Sequence, residues 1–170
     1  MSWPTRAARV SSNVSLFRRR AMSFDIFCIA YKNRERALGN AEAALAILRS
    51  HGAQSGSDAW FALEFSDGAG LAVHADGLTD ARVPFEHAMF NLHGSSLANM
   101  QFIYDFAEAA RLIIFPQDPP QAILPFEELR ADVPSGFLRD PKPIVVHNGH
   151  ELGLVISGRM DELAALSKPR

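Results

Sequence analysis

Apolar residues crowd the chain from Leu97 to Phe115, and their spacing predicts a helix that runs directly into a strand. At 100° per residue, Gln101, Asp105 and Glu108 fall within one narrow polar stripe. Leu97, Met100, Phe102, Ile103, Tyr104, Phe106, Ala107, Ala109 and Ala110 take most of the remaining circumference. A helix apolar over so wide an arc is buried on more than one side. Ser96 is placed to cap its first turn through the hydroxyl. Asn99 falls inside the apolar arc, where its amide needs a partner, and the free amides of the helix N-terminus are the nearest. Leu112-Ile113-Ile114-Phe115, closed by Pro116, suits a fully buried strand. The rest of the domain is expected to pack against this unit.

Earlier in the chain, Phe24, Ile26, Cys28 and Ala30 alternate with Asp25, Phe27, Ile29 and Tyr31. Both sets are mainly apolar, which places the strand centrally in a sheet. A charged connection, 32–39, leads to Asn40, which caps a helix from Ala41 to about Ser50 that stops at Gly52. Trp60 to Phe65 and Leu71 to Asp76 read as the arms of a hairpin. Asp67-Gly68 suggests a two-residue turn, but that register sets Phe61, Leu63 and Phe65 beside His74, Ala72 and Gly70. A three-residue loop, Asp67 to Ala69, matches apolar to apolar and is expected instead, because register follows the buried face. Trp60, Glu64, His74 and Asp76 then share the outer face. Phe85 to His93 is read as another strand, although Pro84 would also suit a helix start.

From Pro116 to Pro143 the chain holds seven of its ten prolines, so this stretch cannot join a sheet continuously. It is expected to be an ordered surface loop anchored by Ile123, Leu124, Phe126 and Phe137, with one helical turn at 126–130. Asn148-Gly149 between the aliphatic runs Ile144–Val146 and Leu152–Ile156 predicts a β-hairpin. Residues 159–166 suit a short terminal helix. Hairpins dominate this order of elements. The fold class is therefore α+β, a largely antiparallel sheet built from hairpins with two main helices packed on one face.

A length of 170 residues fits one domain, and a chain of that size can bury about 68–70% of its unfolded surface without disulfides or metal. The lone Cys28, inside an apolar run, reads as a buried, inert thiol, and its lack of a partner favours a reducing compartment. No apolar run approaches the roughly 18 residues of a membrane span. A cytoplasmic protein without a membrane partner is expected.

Charge divides the chain in two. Residues 1–21 carry Arg6, Arg9, Arg18, Arg19 and Arg20 and no acid. They form a basic N-terminal extension that reads as a transit peptide, a disordered arm, or translated sequence upstream of a start at Met22. The single domain is expected to span 22–166, and the extension to add nothing to its stability. From Met22 onward, 12 Lys and Arg stand against 19 Asp and Glu. So acidic a body is a poor general phosphate binder, which argues against nucleic acid and suits a basic protein partner.

Three groupings are candidates for chemistry. His147 and His150 flank the predicted turn and would face each other across a hairpin, near enough to share a metal ion. No further ligand is indicated on that face, so no metal and no other cofactor is expected there. His93-Gly94-Ser95-Ser96 joins a strand to a helix, as a hydrolase nucleophile does, but lacks the Gly-x-Ser-x-Gly spacing, and capping by Ser96 explains it. Finally, His87, Met89, Asn91 and His93 alternate on one face. With Glu64, His74 and Asp76 they form a conceivable acid–base cluster, and Trp60 and Asp76 are also candidate binding residues. The wet face of an antiparallel sheet presents the same pattern.

The opening Met22-Ser23-Phe24-Asp25-Ile26-Phe27, the Trp-led hairpin at Trp60 and the helix-to-strand passage Phe102–Phe115 resemble a group of short uncharacterised bacterial proteins. The resemblance spans about residues 22–157 and implies no catalytic residues. Some small acidic α+β bacterial proteins are immunity proteins that bind and block a toxin, an analogy of size and fold only. Two functions are thus expected in competition. One is a non-catalytic binding module, immunity-like, for a basic protein. The other is a small hydrolytic or metal-assisted enzyme using the histidines of the sheet face.

Overall fold

The computed structural model describes residues 23–117, 121–139 and 141–166, so the expectations for residues 1–21 lie outside the described residues. In chain order the elements are β1 (Ser23–Ile29), β2 (Tyr31–Lys32), β3 (Glu35–Arg36), α1 (Ala41–Ser50), β4 (Gln54–Ser55), β5 (Trp60–Glu64), β6 (Gly70–His74) and β7 (His87–His93). Then come α2 (Leu97–Ala110), β8 (Ile113–Pro116), β9 (Ile123–Leu124), two 3₁₀ turns (Glu127–Asp132 and Ser135–Phe137), β10 (Ile144–Val145), α3 (Gly149–Ile156) and α4 (Met160–Leu166). Among the described residues the main sheet has eight strands in the order β10-β9-β8-β1-β7-β6-β5-β4, antiparallel except for β9 and β10. The fold is α+β, as the pattern of hairpins predicts.

β1 is central, with β7 on one side and β8 on the other. Its two faces meet different partners. Ile26 and Cys28 lie in the main core with Phe61, Leu63, Leu71, Val73 and Phe90 from the other strands. Ala44 and Leu48 of α1, Phe102 and Phe106 of α2, Leu152 of α3 and Leu163 of α4 close that core, so all four helices share one face. Phe27, Ile29 and Tyr31 point the other way, into a second core with Ile113, Phe115, Leu124, Leu129 and Val133. The proline-rich segment therefore covers half of the opposite face. It does so in two-residue strands and 3₁₀ turns, since each proline removes a ladder donor.

α2 follows the predicted wheel, with Asn99, Met100, Phe102, Ile103, Tyr104, Phe106, Ala107 and Ala110 all buried. Ser96 caps it, its Oγ accepting from the Asn99 amide at 3.1 Å. The Asn99 side chain does not bind the helix amides as expected. Its Nδ2 donates to the Gly94 carbonyl at 3.3 Å, and its buried Oδ1 has no partner among the described residues. Arg111 ends the helix in the left-handed region, and the Leu112 amide turns back to the Ala107 carbonyl.

Two further expectations need correction. The β5–β6 loop is Ser66-Asp67-Gly68, not Asp67 to Ala69. Gly68 takes the left-handed position (φ 80°), and the Phe65 amide pairs with the Ala69 carbonyl. The buried face is unchanged, with Phe61 opposite Val73 and Leu63 opposite Leu71, but the strands slide by two residues. The second correction is larger. Asn148-Gly149 opens a helix, not a hairpin. Asn148 is extended (φ −169°), which excludes the two positive φ values a type I′ turn requires. Its Oδ1 accepts from the Glu151 amide at 2.9 Å, and Glu151 Oε2 accepts from the His147 amide at 2.8 Å. These are the reciprocal bonds of a capping box, with the carboxylate reaching one residue further back than usual. Gly149 then lies against α2, where a Cβ would stand 2.2 Å from the Gln101 nitrogen.

Candidate functional site

The half of the sheet made by β5, β6 and β7 carries helices on one face only, and its other face is not covered by the proline-rich segment among the described residues. Register sets the side chains there in rows. One row runs Trp60, His74, Met89, Phe27, Phe115 across five strands. At its far end Phe115 packs on Phe137 with ring centroids 4.7 Å apart, under the proline-rich cover. At its near end Trp60 and His74 pack with centroids 5.0 Å apart and half-buried side chains. The next row is Ala62, Ala72, Asn91, Asp25, in which Asn91 Nδ2 donates to Asp25 Oδ1 at 2.7 Å. Ala62 and Ala72 thus lie in the row beside Trp60, His74 and Met89.

The corrected register divides the candidate acid–base cluster. Glu64 stands opposite Gly70 at the hairpin end, four residues from Trp60 and hence about 13 Å along the strand from His74. His93, paired with Ser23, lies at that same end, and both Glu64 and His93 are exposed. His87 lies at the other end, paired with Ile29 and half-buried, one step beyond Met89. His74 and His87 thus occupy one end of the face and Glu64 and His93 the other. The outer-face set Trp60, Glu64, His74 and Asp76 keeps its orientation, with only Trp60, His74 and Asp76 together. His74 Nε2 is 3.9 Å from Asp76 Oδ1.

His147 precedes the N-cap of α3 and His150 sits in its first turn, both exposed, so they do not face each other across a ladder. No three His, Cys, Asp or Glu side chains converge to hold a metal ion among the described residues. Ser95 and Ser96 border a cleft of about 210 Å³ between α2 and α3, also lined by Met100, Gly149, Gly153 and Ser157. Ser96 Oγ is engaged as the cap there, and although His150 also lines the cleft, no histidine or carboxylate hydrogen-bonds to Ser96 among the described residues. Cys28 is fully buried, and desolvation pushes its thiol well above the ordinary range.

Electrostatics favour one kind of ligand for the open face. Between Ser50 and Ala110 the chain has one Lys or Arg, Arg82, against eight Asp and Glu. Arg82 is itself forked onto Asp80, with Nε and Nη2 at 2.9 and 2.8 Å, and those bonds hold the Asp80 carboxyl below its usual value. The strands β5, β6 and β7 therefore carry Glu64 and no Lys or Arg, while Asp58, Asp67, Asp76 and Glu86 lie in the segments that flank them, where Arg82 is the one basic residue. In the sequence pattern Asp25 stands only as one member of the mainly apolar face it shares with Phe27, Ile29 and Tyr31. Nothing in the local pattern says that β1 lies beside β7, which is what brings Asp25 to this surface.

No helix among the described residues is long and apolar enough to cross a membrane. No family model, curated protein or solved structure matches the chain.

Proposed function

We propose that this chain is a non-catalytic binding module, working in the cytoplasm, whose open sheet face docks a basic segment of a partner protein. One observation carries the reading: a row of Trp60, His74 and Met89 lies on a sheet face whose strands β5, β6 and β7 hold no Lys or Arg, with Glu64 in β5 and Asp58, Asp67, Asp76 and Glu86 in the segments flanking the strands. Aromatic and Met side chains are enriched where proteins meet, and an acidic surround steers a basic partner and rejects acidic ones. The separation of Glu64 and His93 from His74 and His87 leaves only the His74–Asp76 pair of the acid–base cluster together, which supports binding over catalysis. The resemblance to short bacterial proteins and the immunity-like analogy are compatible with this role.

The test compares the immobilised full chain with a Glu64→Lys/Asp76→Lys variant in affinity capture. A basic protein retained by the wild type, released by salt and absent from the variant supports the reading. The same proteins retained by both would overturn it.

A further inference from the structure

This inference rests on the basic-partner reading of the open face and names the group that anchors the partner. We propose that the corner formed by Trp60, His74 and Asp76 is a socket for an arginine side chain.

The corner is built rather than incidental. His74 packs on the Trp60 indole, and its imidazole reaches to 3.9 Å from Asp76 Oδ1. That separation is too long for a hydrogen bond, and the Asp76 carboxylate is half-exposed and makes no hydrogen bond within the described residues. Its lone pairs are therefore open to an incoming donor. The Trp60 side of the corner is fixed by the turn before it. Asp58 and Ala59 both have positive φ (54° and 61°), the Gly56 amide donates to the Trp60 carbonyl at 2.7 Å, and the Ala75 amide ties Ala59 to the neighbouring strand at 3.0 Å. The turn also leaves Asp58 exposed two residues ahead of Trp60.

An indole near a carboxylate that makes no hydrogen bond distinguishes the two basic side chains. Guanidinium is planar and weakly hydrated, so it stacks on an aromatic face while its fork of donors meets a carboxylate. An ammonium is compact and strongly hydrated, and it gains mainly the point-charge attraction. Indole is also the best aromatic partner for a cation. The chain's own arginines behave this way: Arg111 lies 4.9 Å over the Phe126 ring and Arg82 forks onto Asp80. Among the described residues the cation–ring contacts are this one and Arg36 over Tyr31, so no Lys or Arg of these residues stacks on Trp60.

The experiment is calorimetric titration of the full chain with end-blocked hexa-arginine and hexa-lysine peptides at low ionic strength. Hexa-arginine should bind about two- to fivefold more tightly, the scale of a cation–ring contact at a partly exposed site. Trp60→Leu should abolish that preference and leave the weaker binding common to both peptides. Asp76→Asn, at an exposed position that does not threaten folding, should weaken hexa-arginine more than hexa-lysine. Equal affinities for the two peptides, or a preference that survives Trp60→Leu, would overturn the arginine socket while leaving the basic-partner reading standing. Binding of neither peptide would overturn both.

Discussion

Gly149 and Gly153 lie one turn apart on α3, and the same substitution should have opposite effects at the two positions. A Cβ added at Gly149 would stand 2.2 Å from the Gln101 nitrogen, 2.3 Å from its Cα and 2.7 Å from the Met100 carbonyl carbon. All three are backbone atoms of α2, which cannot rotate away. The Gly149 amide also donates to Gln101 Oε1 at 2.9 Å, a bond that any retreat of α3 would stretch. At Gly153 a Cβ would meet only Met100 Cγ at 3.5 Å, ordinary contact with a flexible side chain. Replacing a mid-helix glycine by alanine gains about 0.5–1 kcal/mol from reduced backbone freedom. Gly153→Ala should therefore raise the melting temperature by about 1–4 °C for a domain of this size. Overpacking costs about 1–3 kcal/mol, occasionally more, and against backbone the upper part of that range applies. Gly149→Ala should lower the melting temperature by about 4–8 °C, the equivalent of about 2 kcal/mol. Thermal and urea unfolding of the two variants beside the wild type would measure both. If Gly149→Ala is as stable as the wild type, or if the two variants shift together, α3 does not press on the α2 backbone as described.

Three further outcomes are expected. Phe106 is fully buried, with its ring centroid 5.2 Å from Phe90 and 6.1 Å from Phe102, so Phe106→Ala should cost about 3–5 kcal/mol in urea titration, and a loss below about 1 kcal/mol would contradict that packing. Ala59 holds a left-handed conformation that disfavours a Cβ by about 1–2 kcal/mol, partly offset by the greater unfolded freedom of glycine; Ala59→Gly should gain about 0.5–1 kcal/mol, and a loss of stability would refute the turn. Cys28 should be unreactive toward a disulfide reagent at neutral pH in the native protein and react fully once unfolded, because burial raises its pKa and suppresses the thiolate; rapid native labelling would show the strand to be accessible.

Long periodic signals were legible in sequence and short ones were not. The wheel of α2, the alternation of β1 and the capping of α1 by Asn40 each rest on several residues agreeing, and all three recur in the structure. The Asn148-Gly149 pair shows what two residues leave undecided. The dipeptide favours a type I′ turn, but Glu151 three residues after Asn148 also fits a capping box, and the buried Leu152, Leu154 and Val155 gain more from packing on α2 than a hairpin offers. In the β5–β6 loop, apolar matching fixed only the parity, so a slide of two residues kept the buried face and still moved Glu64 away from His74. The candidate site suffered most from this, since rows across a sheet depend on register and strand order, and strand order is set by contacts far apart in sequence.

The central place of β1 has a consequence for the nascent chain. Its first partner, β7, is made about 60 residues later, and β8 later still. At synthesis rates of about 5–20 residues per second, β1 waits about 3–12 s for a neighbour. Through that interval Phe24, Phe27 and Ile29, aromatic and β-branched with no proline among them, present both edges of a sticky strand. Charged substitutions at Phe27 should therefore act twice, weakening the second core in the finished protein while protecting the unfinished one, and yield from the ribosome need not follow native stability.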